Sequence, residues 1–399
     1  MTKINLSQPI FDKKEINSAI KTIRSLNISQ GKKVFEFEKK FSNYIGMKYG
    51  IATNSGSSAN LIALTALKEF YDLNDGDEVI IPAATFATVA MPILQIGLKP
   101  VYTDIDINSY NIDTNKIKSA ITKKTKIIMI VHTLGNPVDM KKINKIAKKN
   151  KLIVFEDCCE AHGSSINNKK VGSFSIISAF SFFVAHNITT GEGGMILTKN
   201  KKLDEICRSL REFGRTNQKD SNNLKTRFKN KGKLKNFDNR YIFERIGYNM
   251  RMTDILASFG IEQVKKLDLL NKIRSENAKK LDYFFIHKAN KFFSLTKKIK
   301  GSFHSYYTYP LLIKKNSPFK RLDLAMFLEN KGIETRPLFC GCLPDQPAFK
   351  KEKGRNADKL INSRYVRDNL LFFGIHPSIK SNEIKYIKKV FTNFLKKFN

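Results

Sequence analysis

The chain has 399 residues, of which 41% are hydrophobic and 27% charged, and Lys+Arg (71) so far outnumber Asp+Glu (36) that the formal net charge is +35. The balance is that of a globular protein, and the length exceeds what one hydrophobic core serves, so two domains are expected, over 1–265 and 266–399. No apolar run is long enough to cross a bilayer, and the start carries no basic region followed by an apolar one, so the expected location is cytoplasmic, with no membrane partner.

Lysines run from Lys3 to Lys397 and concentrate only over 218–235. An even spread, with no zinc-finger spacing and no aromatic–glycine signature of an RNA-binding fold, argues against nucleic acid as a partner. A polyanionic small substrate would still be drawn to such a surface. The five cysteines are Cys158, Cys159, Cys207, Cys340 and Cys342, an odd number without a framework of spacings. They read as free thiols, and Cys340-Gly-Cys342 has no second pair with which to hold a metal.

In chain order, strands are expected over 49–53, 78–82, 101–104, 126–131, 152–156, 176–183 and 194–198. Helices are expected between them over 57–70, 88–96, 115–121 and 140–149, and after them over 202–213. Strands alternating with amphipathic stretches give an α/β fold with a mainly parallel sheet, whose ligands sit at the carboxyl ends of the strands. The polar, basic stretch 216–236 reads as a long surface loop. A long helical stretch over 251–281 would lead into a smaller α+β region with a strand over 306–313 and helices over 322–331 and 363–371.

Three post-strand loops carry the chemistry. In Thr53-Asn-Ser-Gly-Ser-Ser-Ala-Asn60, the backbone N–H groups of Gly56 and Ser57 open a helix, with the Ser58 hydroxyl as a further donor. Phosphate binding and plain helix capping both fit that pattern. In Phe155-Glu-Asp157-Cys-Cys-Glu160-Ala-His162, a carboxylate at the end of a buried strand must be paired. A heteroaromatic ring nitrogen, a helix cap or a structural ion pair would each serve. The third loop is Phe180-Ser181 through His186 to Gly191-Glu-Gly-Gly194.

Together with Pro82-Ala-Ala-Thr-Phe86, Asp104-Ile-Asp106, Gly135-Asn-Pro137, Gly247-Tyr-Asn249-Met-Arg251 and Gly332-Ile-Glu-Thr-Arg336-Pro337, these loops cover nearly the whole chain in order. The set resembles the DegT/DnrJ/StrS-type sugar aminotransferase family of fold-type-I pyridoxal-phosphate proteins. The family's Schiff-base lysine is replaced by His186. That departure looks like the branch of nucleotide 4-keto-6-deoxysugar 3-dehydratases, as do Val131-His-Thr-Leu-Gly-Asn-Pro137 and Cys158-Cys159. The resemblance implies a large domain that binds pyridoxal or pyridoxamine 5′-phosphate non-covalently, with Gly56, Ser57 and Ser181 on the phosphate. Phe86 would stack on the ring, although core packing is an alternative. Asp157 would pair with the ring nitrogen, and Glu160 would lie near the 3-hydroxyl. Asn249 would reach the phosphate of a neighbouring subunit, making a homodimer. Arg336 would touch the sugar or its phosphate, or form an ordinary surface ion pair.

His186 would be the acid and base of C3 dehydration of a GDP- or CDP-linked 4-keto-6-deoxyhexose, with glutamate as amino donor. An iron–sulfur branch is disfavoured because 216–236 contains no cysteine. Two rivals stay open: amino transfer through another lysine, for which Lys169 and Lys170 are poor candidates, and a catalytically silent cofactor-binding relative.

Overall fold

The computed structural model describes residues 3–216, 224–229, 234–352 and 354–398. Short runs rich in β-branched residues form the strands of one large sheet. They are β1 (Tyr49–Thr53), β2 (Glu78–Pro82), β3 (Lys99–Thr103), β4 (Thr125–Val131), β5 (Ile153–Asp157), β6 (Ile177–Ser181) and β7 (Gly194–Thr198). Their order is β1-β7-β6-β5-β4-β2-β3, with Arg355–Asn356 beyond β3. All pairings are parallel except those of β7, which runs antiparallel to β1 and β6. The strands are buried on both faces, as a sheet covered by helices on either side requires. One covering layer packs Gly56–Phe70, Ala87–Gln95 and Lys201–Arg211 around Ile62, Leu67, Ile93 and Ile206. Met140–Asn150 packs through Ile143 and Ile146 in a separate cluster with Ile80, Ile128 and Ile130.

Beneath the sheet, the wholly buried Arg211 joins three elements. Its Nη1 donates to Glu38 Oε1 (2.8 Å) and to the Ala52 carbonyl (2.9 Å), while Arg208 Nη1 donates to Glu38 Oε2 (2.9 Å). This pins the helix Lys32–Ile45 against β1 and the helix Lys201–Arg211.

The helix Asp254–Lys288 runs 35 residues without a break, and the expected boundary at 265/266 lies inside it. Its C-terminal half packs on a second, four-stranded antiparallel sheet of Phe293–Ser294, Tyr309–Ile313, Leu370–Phe373 and Thr335–Pro337. The chain start belongs to this layer too, because Ile4 bridges Ile333 in parallel and is buried with Leu324 and Ile333. Several expected elements shift. The helix over 115–121 shrinks to Ile117–Ala120, and the strand over 306–313 begins only at Tyr309, because Tyr306 takes a left-handed φ of 49° that ends extended backbone. The helix over 363–371 is Ile361–Asn369, after which the apolar run Leu370–Phe373 crosses into the sheet. The stretch 216–236 lies partly outside the described residues; within it, Leu224–Arg227 is a helical turn with no buried residue. No described helix is long and apolar enough to cross a membrane.

Candidate active site

A cavity of about 540 Å³ opens at the carboxyl ends of the parallel strands, between the large sheet and the second layer. β1 leads into Gly56 and Ser57, β2 into Thr85 and Phe86, and β5 ends on Asp157, followed by Glu160. β6 ends on Ser181, and the turn after it carries His186. Arg336, Phe339 and Phe372 close the far wall. Eight of the nine residues given roles by the family resemblance therefore face one space. The exception is Asn249, which is exposed and whose Oδ1 accepts from Arg251 Nε at 3.2 Å. No lysine lines the cavity among the described residues. Lys169 lies over the Phe174 ring and Lys170 reaches Asp268, both away from it.

The helix Gly56–Phe70 is capped by Ser55, whose Oγ accepts from the Ser58 N–H at 3.1 Å and lies 2.9 Å from Ser58 Oγ. Ser58 is thus engaged in the cap, the second of the two readings its pattern allowed. The helix begins one residue earlier than its pattern suggests, so the free N–H groups are those of Gly56 and Ser57. A Cβ on Gly56 would lie 2.4 Å from Ser181 Cβ, so only glycine lets this helix start close on Ser181. A Cβ on Gly194 would lie 2.2 Å from the Ser55 carbonyl oxygen, which explains the glycine that opens β7.

Asp157 is held from two sides. Asn60 Nδ2 donates to its Oδ2 at 2.8 Å, and the Cys159 N–H donates to its Oδ1 at 3.0 Å. Asn60 is the functional position that sequence reasoning passed over, although its signal is present as the lone amide in the buried apolar run 59–67. Phe86 is 47% exposed, with its ring 6.0 Å edge-on from Phe339, so it is an open face on the cavity rather than a core residue. Arg336 donates to Glu334 Oε1 and to the Thr335 carbonyl, with half its side chain exposed.

Two titratable groups in this wall are pushed in opposite directions. Burial raises the Glu160 carboxyl to about 8, even though Oε2 accepts from the Leu134 N–H at 2.6 Å; the nearby Asp157 charge adds to the rise. Burial, aided by the Arg274 charge, lowers the His186 imidazole to about 3. Both are neutral near pH 7: Glu160 holds its proton, and His186 is ready to accept one. His186 Nδ1 is buried with no hydrogen-bond partner among the described residues. Tyr307, unmarked in the sequence reading, lines the cavity with its ring 5.2 Å from His186.

These features suit a phosphorylated pyridine. Free helix-start N–H groups meet a serine where a Cβ is barred, a doubly held carboxylate faces a flat aromatic, and an unpartnered imidazole stands where a covalent anchor would be expected. The fold is that of the fold-type-I pyridoxal-phosphate enzymes, in which a mainly parallel sheet presents its cofactor at the strand ends. The DegT/DnrJ/EryC1/StrS aminotransferase family model matches residues 9–392, and the chain belongs to that family.

Among its relatives, the lipopolysaccharide biosynthesis protein RfbH of Salmonella typhimurium is 37% identical over 90% of this chain and 84% of its own. GDP-perosamine synthase of Escherichia coli O157:H7 is 34% identical over 99% of both chains. A crystal structure of GDP-4-keto-6-deoxymannose-3-dehydratase with a trapped PLP-glutamate geminal diamine superposes with a TM-score of 0.89. It is 32% identical and covers 97% of this chain and 99% of that one.

Proposed function

We propose that this pyridoxal-phosphate-dependent family member is a 3-dehydratase of a nucleotide-linked 4-keto-6-deoxyhexose, of the GDP-mannose or CDP-glucose series, serving lipopolysaccharide dideoxysugar synthesis in the cytoplasm. The observation that carries this reading is His186, without any lysine, in a cavity whose cofactor-binding features are otherwise intact. The cofactor, bound non-covalently as pyridoxamine phosphate, supplies an amine for the C4 ketone and a sink for electrons.

The chain's own groups do the rest. Gly56, Ser57 and Ser181 bind the phosphate, Phe86 stacks on the ring, and Asp157, steadied by Asn60, pairs with the ring nitrogen. Glu160 presents its retained proton near the ring 3-hydroxyl. His186, as neutral imidazole, would accept at a ring nitrogen the proton lost from the cofactor-bound sugar and deliver it to the C3 hydroxyl, which would leave as water. Arg336 swings from Glu334 to the sugar or its phosphate. Glutamate restores the amine, leaving 2-oxoglutarate, and the dehydrated amino sugar hydrolyses to a ketone and ammonia.

Asn249 reaches a second copy's phosphate in a homodimer with shared sites. The helix Lys13–Arg24 supports such association, because it turns Ile16, Ile20 and Ile23 outward and buries Glu15 and Thr22. Amino transfer is the competing reading, and GDP-perosamine synthase is as similar over the full chain.

The variant His186→Lys tests the assignment. It is expected to lose dehydration and to hold cofactor as a borohydride-reducible imine, whereas wild type holds cofactor that borohydride does not fix. Continued C3 dehydration by the lysine variant would sink the reading.

A further inference from the structure

Arg274 is a buried cation that the proposed chemistry does not use. It lies on the helix Asp254–Lys288, is 2% exposed, and makes no ion pair with any described carboxylate. Burying an uncompensated charge costs several kcal/mol. Its Nε has no hydrogen-bond partner among the described residues. Its Nη1 donates to two successive backbone carbonyls, those of Tyr306 (3.2 Å) and Tyr307 (2.9 Å). The Tyr307 ring lies against His186.

One turn earlier on the same helix, the Asn271 amide serves two more segments. Its Nδ2 donates to the His162 carbonyl at 2.7 Å, and its Oδ1 accepts from Asn187 Nδ2 at 2.7 Å. Asn187 follows His186 in sequence, and the His162 ring sits 5.7 Å from the His186 ring. A single helical turn therefore grips all three segments around the imidazole.

We infer that Arg274 is a positioning residue for His186: it fixes Tyr307 against the imidazole and, with Asn271, locks the surrounding segments, while placing one unpaired positive charge behind the ring. The inference rests on the acid–base role proposed for His186. A guanidinium suits the task because Nη1 carries two N–H donors in one fixed plane, one for each carbonyl, and the group stays charged when buried. Burial holds the His186 ring neutral in the resting site, and the Arg274 charge adds to the penalty on its protonation. The other groups facing His186 are His162 from the loop after β5, Tyr307 from the 304–308 segment, and Asp157, Cys159, Glu160, Glu192 and Arg336 across the cavity. Arg274 is the buried cation among them.

The test is the titration of His186 in the full chain, followed by NMR on histidine-labelled protein and assigned by the signal lost in His186→Asn. Arg274→Gln keeps a donor for the carbonyls but removes the charge, and Arg274→Lys keeps the charge but loses the planar Nη1 that holds both carbonyls. The glutamine variant is expected to move the His186 midpoint upward by about one pH unit. The lysine variant is expected to leave that midpoint in place yet lower kcat about tenfold, with KM little changed. An unmoved midpoint in folded Arg274→Gln would overturn the inference. Should that variant not fold, unchanged kcat in Arg274→Lys would overturn it instead. Neither titration needs substrate, so a failure here is separable from a failure of the dehydratase reading, which would appear as turnover surviving in His186→Asn.

Discussion

Glu156 and Asp157 are neighbours on β5, and strand alternation sends their carboxylates to opposite faces of the sheet. Glu156 enters a saturated node. It accepts from Gly172 N–H (2.8 Å), Phe174 N–H (2.9 Å), Ser175 N–H (2.8 Å) and Ser175 Oγ (2.7 Å). His132 completes the node: its Nδ1 accepts from the Val138 N–H, so its Nε2–H donates to Glu156 at 3.1 Å. Burial alone would raise the Glu156 carboxyl, but His132 and these donors bring it below the usual range. Cys158 lies close enough to suggest a metal triad, yet the oxygen and nitrogen ligand atoms of that triad are already engaged. The opposite face is different in kind. There Asp157 keeps lone pairs open to a cavity, and His186 Nδ1 on the cavity wall has no hydrogen-bond partner among the described residues. A finished hydrogen-bond ledger marks a structural cluster, and an unfinished one marks a place where something else binds.

Substitutions on the two faces should therefore fail differently. The largest effect falls on His186→Asn, which is expected to lower C3 dehydration by two or more orders of magnitude (about 10²–10⁴-fold) while thermal stability and pyridoxamine-phosphate binding persist. Quenched product assays and cofactor absorbance read both. On the saturated face, Glu156→Gln strands His132 and several N–H groups, and is expected to cost about 3–5 kcal/mol in denaturant unfolding. Equal stability there would dissolve the contrast. Asn60→Ala is milder. Losing one bond to the Asp157 carboxylate should weaken cofactor retention by about 1.5–3 kcal/mol, read by equilibrium dialysis, with little change in fold.

The smallest effect concerns pH. The folded pKa of Glu160 is raised, so its contribution to stability is full below the unfolded carboxylate range and is lost as pH rises through about 8. The cofactor-free protein should lose more Tm between pH 5 and 8 than Glu160→Gln does, and parallel melting curves would count against a protonated Glu160.

Much of this was legible in the sequence for a physical reason. Alternating β-branched runs and amphipathic helices dictate the sheet, and the loops that follow its strands are the ones that meet at the cavity. Ser58 could be read either as a phosphate donor or as part of a cap, because that choice depends on the exact residue where the helix starts. The helices Lys13–Arg24 and Lys32–Ile45 were not expected because they precede the strand–helix alternation that begins at β1. Tyr307 and Arg274 lie about 120 and 90 residues from His186 in sequence, and only tertiary packing of the long helix brings them to it.

The most direct measurement supplies purified protein with glutamate and a GDP- or CDP-linked 4-keto-6-deoxyhexose and follows the sugar product together with 2-oxoglutarate and ammonia. A dehydratase working through His186 gives a 3-deoxy keto sugar with 2-oxoglutarate and ammonia in equal amounts. An amino sugar that keeps its C3 hydroxyl, formed without ammonia, would contradict the account.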